Sequence, residues 1–254
     1  MKYIQFIFSP TGGTKKAADL ITSEWSLSIV TADLSDPACS FTKYELCADD
    51  LVLIAVPSFG GRIPDLAAKR LSKVRGNAAK CVLLCVYGNR AYEDTLVEMA
   101  DIASDCGFTV IAAVSAIAEH SIMHQYASGR PDAEDSRQLK AFARQILQKV
   151  HSGETGNELK LPGNRPYKKA GGGGLIPKAS ASCTSCGLCA RQCPAQAIAL
   201  ANPKLTDSKK CISCMRCVEN CPHSARKNNR AMVAAASQVL KKACSIRKEC
   251  ELFL

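Results

Sequence analysis

Eight cysteines fall in two short runs. Cys183, Cys186, Cys189 and Cys193, followed by Pro194, recur as Cys211, Cys214, Cys217 and Cys221, followed by Pro222, with an offset of 28 residues at every cysteine. The run C-x2-C-x2-C-x3-C-P suits an iron–sulfur cubane: spacings of three let one tight loop aim three thiolates at three corners. The proline turns the chain, so the fourth thiolate faces the other cluster. On this pairing Cys183, Cys186, Cys189 and Cys221 hold one [4Fe–4S] cluster, and Cys211, Cys214, Cys217 and Cys193 hold the other. The alternative is structural zinc, which takes four thiolates in paired C-x2-C knuckles. Zinc requires neither the third cysteine at the same spacing nor the doubled Cys-Pro.

A second group of residues suits an anion. Ser9-Pro10-Thr11-Gly12-Gly13-Thr14 joins an apolar run to a helical pattern. Glycines let backbone N–H groups converge on an anion at a helix N-terminus, and the hydroxyls of Ser9, Thr11 and Thr14 add donors. The G-x-x-x-x-G-K spacing of nucleotide hydrolases and the G-x-G-x-x-G dinucleotide fingerprint are both missing. A compact hydroxyl loop fits a terminal phosphomonoester. A plain tight turn is the alternative.

Both groups resemble known families. Residues 178–226 resemble the two-cluster ferredoxins, with all eight ligands matched but no Tyr or Phe among them; Ile198 and Ile212 are expected to fill that space. The loop at 9–14 resembles the flavodoxin phosphate loop, [ST]-x-T-G-x-T, which implies FMN. In flavodoxins two further loops sandwich the flavin ring. The resemblance maps them onto Pro57–Pro64, with Ser58, Phe59 and Gly60, and onto Tyr87–Asp94, with Gly88, Asn89 and Tyr92. Phe59 and Tyr92 are the stacking candidates. The whole chain resembles the flavodoxin–ferredoxin fusion flavoproteins of anaerobes (the ferrodoxin family), and Gly163–Tyr167 is similar to their linker. The resemblance implies an electron-transfer flavoprotein serving an unidentified redox partner protein. The rivals are an FMN-dependent reductase fed by the clusters and a redox sensor.

The elements that must position these residues are legible in the first half. Tyr3–Phe8, Ser28–Ala32, Asp50–Val56, Cys81–Tyr87 and Thr109–Val114 read as strands. Helical patterns at 15–24, 64–73, 93–106 and 136–151 separate or follow them. Strands apolar on both faces with helices between predict a doubly wound, flavodoxin-like five-stranded parallel sheet. Its ligands belong beyond the carboxyl ends of the strands, where the loops at 9–14, 57–63 and 88–92 lie. The expected division is a flavodoxin-like domain at 1–151, a Pro/Gly linker at 152–177 containing the tract Gly171–Gly174, and a small α+β ferredoxin-type domain at 178–254 ending in a helix over 231–242.

Charge and cysteine usage narrow the function classes. The 254 residues carry a net charge of +10. Residues 1–150 hold 16 Lys/Arg against 17 Asp/Glu, and residues 151–254 hold 17 against 6, so the basic excess sits with the cysteine runs. Anionic clusters account for it. Nucleic acid is a possible alternative without support, because no aromatics are interleaved for stacking. Fifteen cysteines, an odd number, with no secretion signal argue against a disulfide scaffold and for a reducing cytoplasm. No apolar run approaches the ~18 residues of a membrane span. The other cysteines are set aside: Cys81 and Cys85 share a face of a buried strand, Cys39, Cys47 and Cys106 lie outside the runs, and Cys244 and Cys250 lack the further ligands a third site needs. The helical spacing of Glu119, His120 and His124 suits either a metal site or, as the favoured reading, one exposed helix face; His223 reads as a neighbour of a cluster, and Trp25 as packing.

Overall fold

The apolar runs of the first half form the five parallel strands their composition calls for. In a computed structural model that describes residues 1–153, 159–171 and 174–254, they are β1 (Tyr3–Ile7), β2 (Val30–Asp33), β3 (Leu51–Pro57), β4 (Lys80–Tyr87) and β5 (Thr109–Ile117). They lie in the order β2-β1-β3-β4-β5, which is the flavodoxin-like order. The central strands are buried on both faces, and their side chains divide by the period of two. Ile4, Phe6, Val52 and Ile54 pack on one side with α2 (Asp65–Leu71) and α3 (Thr95–Asp105). Ile7, Leu51, Leu53 and Ala55 pack on the other with α1 (Gly13–Thr22) and α4 (Ala133–Ser152). Trp25 is packing: it is 7% exposed and donates from Nε1 to the carbonyl of Ala143 at 3.3 Å.

Helix α4 begins three residues earlier than its apolar periodicity suggests. The carboxylate of Asp132 accepts from the amides of Glu134 and Asp135, at 3.0 and 3.1 Å, and caps the helix.

In the second half the 28-residue repeat extends to the backbone. The short helices α5 (Leu188–Arg191) and α6 (Arg216–Glu219) are equivalent. So are the left-handed residues Ser185 and Ser213, Gly187 and Met215, and Gln196 and Ser224. Two-residue strands, β6 (Lys178–Ala179) and β7 (Arg226–Lys227), pair antiparallel across the unit. Helix α7 (Arg230–Cys244) follows, so Cys244 ends the helix instead of lying beyond it.

The chain then returns to the first sheet. A sixth strand, β8 (Glu251–Phe253), pairs antiparallel with β5, Ser115 against Glu251 and Ala113 against Phe253. Sequence reading gives no sign of it, because three residues are too few for a periodicity. It covers the edge that β5 would otherwise present. The residues before the glycine tract are also fastened. Leu159 and Leu161 pack on the core. Asn164 and Lys168 donate backbone amides to the two oxygens of Asp94, at 2.9 and 2.7 Å. Arg165 pairs with Asp101. Of the tract itself, Gly172 and Gly173 lie outside the described residues. Among the described residues no helix is long and apolar enough to cross a membrane.

Candidate functional site

A cavity of about 630 Å³ opens at the carboxyl ends of the strands. Thr11, Gly13 and Thr14 line it from the first loop, Ser58, Phe59 and Gly60 from the second, and Tyr87 and Gly88 from the third. The first loop enters α1 through Gly12 at φ +88°, a left-handed conformation that favours glycine. The hydroxyl of Ser9 accepts from the amide of Lys15 at 2.9 Å, so Ser9 braces the loop from behind. The second loop doubles back at Gly60-Gly61, φ +62° and +86°, and is closed by the amide of Phe59 donating to the carbonyl of Arg62 at 2.9 Å. A Cβ on Gly60 would meet the carbonyl oxygen of Gly171 at 2.0 Å, so the segment after Lys168 lies directly on this turn.

The far wall comes from the cysteine unit. Cys211, Ile212, Ser213 and Cys214 line the same cavity as the three loops. Three contacts seat the unit there. Arg70, 9% exposed, donates to the carbonyl of Leu34 at 2.6 Å and, across the interface, to that of Pro194 at 2.7 Å. Arg216 approaches Asp33 at 3.8 Å. Ile212 packs on the core of the first half. Helix α7 closes one side, with Leu240 reaching the cavity.

Two smaller cavities each collect one of the quartets. Cys183, Cys186, Cys189 and Cys221 surround the first, and Cys193, Cys211, Cys214 and Cys217 surround the second, together with Ile198 and Ile212. Each cavity thus joins three cysteines of one run to the fourth cysteine of the other. A cubane spreads its ligands around a cage, whereas one zinc ion draws four sulfurs to a point. Amides of Ala197 and Ala225 donate to the sulfurs of Cys193 and Cys221, at 3.3 and 3.2 Å. Burial pushes the Cys214 and Cys217 thiols up to about 11 and about 12. Such groups become thiolates only beside a metal that replaces the proton. Among the described residues four buried polar atoms have no partner, and three of them belong to residues that line these cavities. They are Nε of Arg226, a residue lining the first quartet's cavity, Nε of Arg216, lining the second's, and the hydroxyl of Ser213, lining the large cavity. Donors left over at cavities ringed by thiols fit anionic clusters.

Two candidates face elsewhere. The Asn89 side chain, 4% exposed, donates to the carbonyls of Cys244 and Ile246, both at 2.8 Å, and holds the chain between α7 and β8. The Tyr92 ring packs edge-on against Tyr87, and its hydroxyl donates to Glu251 at 2.7 Å. That leaves Phe59 as the aromatic ring of the two candidates that lines the cavity. The reading of Glu119, His120 and His124 as a helix face is overturned. Residues 119–131 form a loop, and His124 pairs with Glu119 at 2.7 Å. His120 turns into the large cavity beside Gly88. Its Nδ1 accepts from the amides of Ile122 and Met123 at 3.2 and 3.3 Å, which leaves the ring proton on Nε2. Burial lowers its pKa and keeps it neutral. Arg62 and Lys168 also line the cavity without having been expected. Their only sequence signal was position, Arg62 being in the second loop; Lys168 arrives through the linker. Cys81 and Cys85 are fully buried core residues.

Residues 182–226 match the family of 4Fe-4S dicluster domains. No curated protein matches the chain. Among solved structures, similarity is found to a flavodoxin from the domain Archaea (16% identity, TM-score 0.40, 59% of this chain and 99% of that one). It is also found to the flavodoxin of Streptococcus pneumonia TIGR4 (15%, 0.39, 58% and 97%). A third is an azoreductase from Bacillus anthracis str. Sterne (11%, 0.35, 60% and 98%). The strand order carries the fold assignment. The chain thus joins a sheet of flavodoxin-like strand order to a 4Fe-4S dicluster domain.

Proposed function

We propose that the chain is an electron-transfer iron–sulfur flavoprotein in which two [4Fe–4S] clusters exchange electrons with FMN. The observation that carries this reading is one cavity wall shared by Cys211 and Cys214 with Thr11, Thr14, Phe59 and Gly88. Thr11, Thr14 and the first amides of α1 hold the phosphate, and Phe59 with the Gly88 turn flanks the ring. FMN supplies a centre that takes one electron or two. Ile212 lies between the inner quartet and this cavity and excludes water there. The outer quartet, Cys183, Cys186, Cys189 and Cys221, is absent from the cavity wall, and Cys186 is exposed. It is the port for an unidentified redox partner protein.

The test is rapid reduction of the clusters followed by the rate of flavin reduction at several protein concentrations. A rate independent of concentration supports a relay within one chain. A rate proportional to concentration refutes it. A second reading, an FMN-dependent reductase fed by the clusters, is favoured by one feature: the neutral imidazole of His120, whose Nε2 carries a proton to offer at the cavity. Turnover of a small oxidant that His120→Ala abolishes, with FMN still bound, would select it.

A further inference from the structure

Arg226 is a cation buried without a counter-ion. It is 2% exposed, and among the described residues no ion pair includes it. Nη1 donates to the carbonyl of Pro177 at 3.1 Å and to the Thr206 hydroxyl at 2.6 Å, and Nη2 donates to the carbonyl of Pro203. All three acceptors are neutral. Among the described residues Nε has no acceptor, and Arg226 lines the cavity of the outer quartet. A guanidinium so placed is expensive unless an anion lies beside it. The nearest candidates are the thiols. Its partners Pro177 and Thr206 line the cavity of the inner quartet, and Pro203, like Arg226 itself, lines that of the outer one. The side chain thus stands between the two cluster cavities, and it comes from β7, the strand that closes the repeat.

We infer that Arg226 is a positioning residue shared by the two clusters: Nε donates to a sulfur of the outer cluster, while the guanidinium charge favours reduction of both. This rests on the clusters proposed above. Donors to cluster sulfurs and nearby positive charge both raise reduction potentials. The outer cluster gains both effects and the inner cluster the charge alone, so Arg226 biases the electron towards the outer port. No cysteine spacing predicts such a residue.

The experiment is an EPR-monitored redox titration of the full chain carrying R226K or R226Q, after iron and sulfide analysis. Cys186→Ser and Cys214→Ser, each altering one quartet, assign the two signals. R226K keeps the charge and loses Nε. It should lower the equilibrium constant for reducing the outer cluster by about tenfold, the size of one hydrogen bond to a charged group, and leave the inner one unchanged. Tenfold is 59 mV for one electron. R226Q should lower both. Equal shifts in R226K, or unmoved potentials in either variant with clusters intact, overturn the inference. Should R226Q fail to hold its clusters, R226K decides alone. Wild-type protein lacking acid-labile sulfide would refute the iron–sulfur reading itself, a separate result.

Discussion

Replacing Thr14 by Val removes a hydroxyl while keeping the shape of the side chain. Thr14 is 4% exposed, stands in the first turn of α1 and lines the large cavity. The first amides of a helix have no intrahelical acceptor and point at whatever lies before the helix. Of these donors, Lys15 already donates to Ser9, so the threonine hydroxyls matter more to a phosphate than their number suggests. One charge-assisted hydrogen bond contributes roughly 1.5–3 kcal/mol. At about 1.4 kcal/mol per tenfold, T14V should raise the FMN dissociation constant by about 12- to 150-fold. Riboflavin has the same ring and no phosphate, so its affinity should stay within about twofold, because the bond removed is one it never made. The assay is titration of flavin-free protein, anaerobically, following flavin fluorescence, with both ligands on both proteins. If T14V weakens riboflavin as much as FMN, the hydroxyl supports the ring or the fold. If FMN binding is unchanged, the loop does not hold a phosphate.

Two quartets require eight irons and eight acid-labile sulfides per chain, four of each per cubane; stoichiometric zinc without sulfide would contradict this. Removing both clusters should raise hydrogen exchange throughout 177–226 while β3 and β4 stay protected, since so small a unit leans on its clusters. Arg70→Gln leaves the carbonyl of Pro194 without its charged donor, so flavin reduction by the clusters should slow by about tenfold with FMN affinity unchanged; a wild-type rate would show that docking does not depend on Arg70. The carboxyl of Asp132 is held below its ordinary 3.8 chiefly by hydrogen bonds from Arg247, then by the amides of Asp135 and Glu134. Its stabilising contribution is complete above that value and is lost as pH falls through the depressed native one. Amides of β8 should therefore lose protection below about pH 4 before those of β3, read by hydrogen exchange corrected for intrinsic rates.

Chemistry was most legible where it resides in local spacing. The eight cysteines and the Ser9–Thr14 loop each lie within a few residues of one turn, so their geometry follows from covalent reach and backbone propensity. The five parallel strands were legible because continuous apolar runs admit little but a sheet covered on both faces. The return of the chain was not. β8 is three residues long, and its place depends on the open edge of β5 and on Asn89 gripping the carbonyls of Cys244 and Ile246. His120 carried a helical spacing that the fold ignored, because Arg130, Tyr126 and the amides of Ile122 and Met123 organise that segment as a loop. Tertiary packing alone decided that the inner quartet, and not the outer, borders the large cavity. The cysteine runs are near copies of one another, and local sequence treats them alike. Arg70, Ile212 and Arg216 break the symmetry by making contacts across more than a hundred residues of chain, where no spacing rule operates.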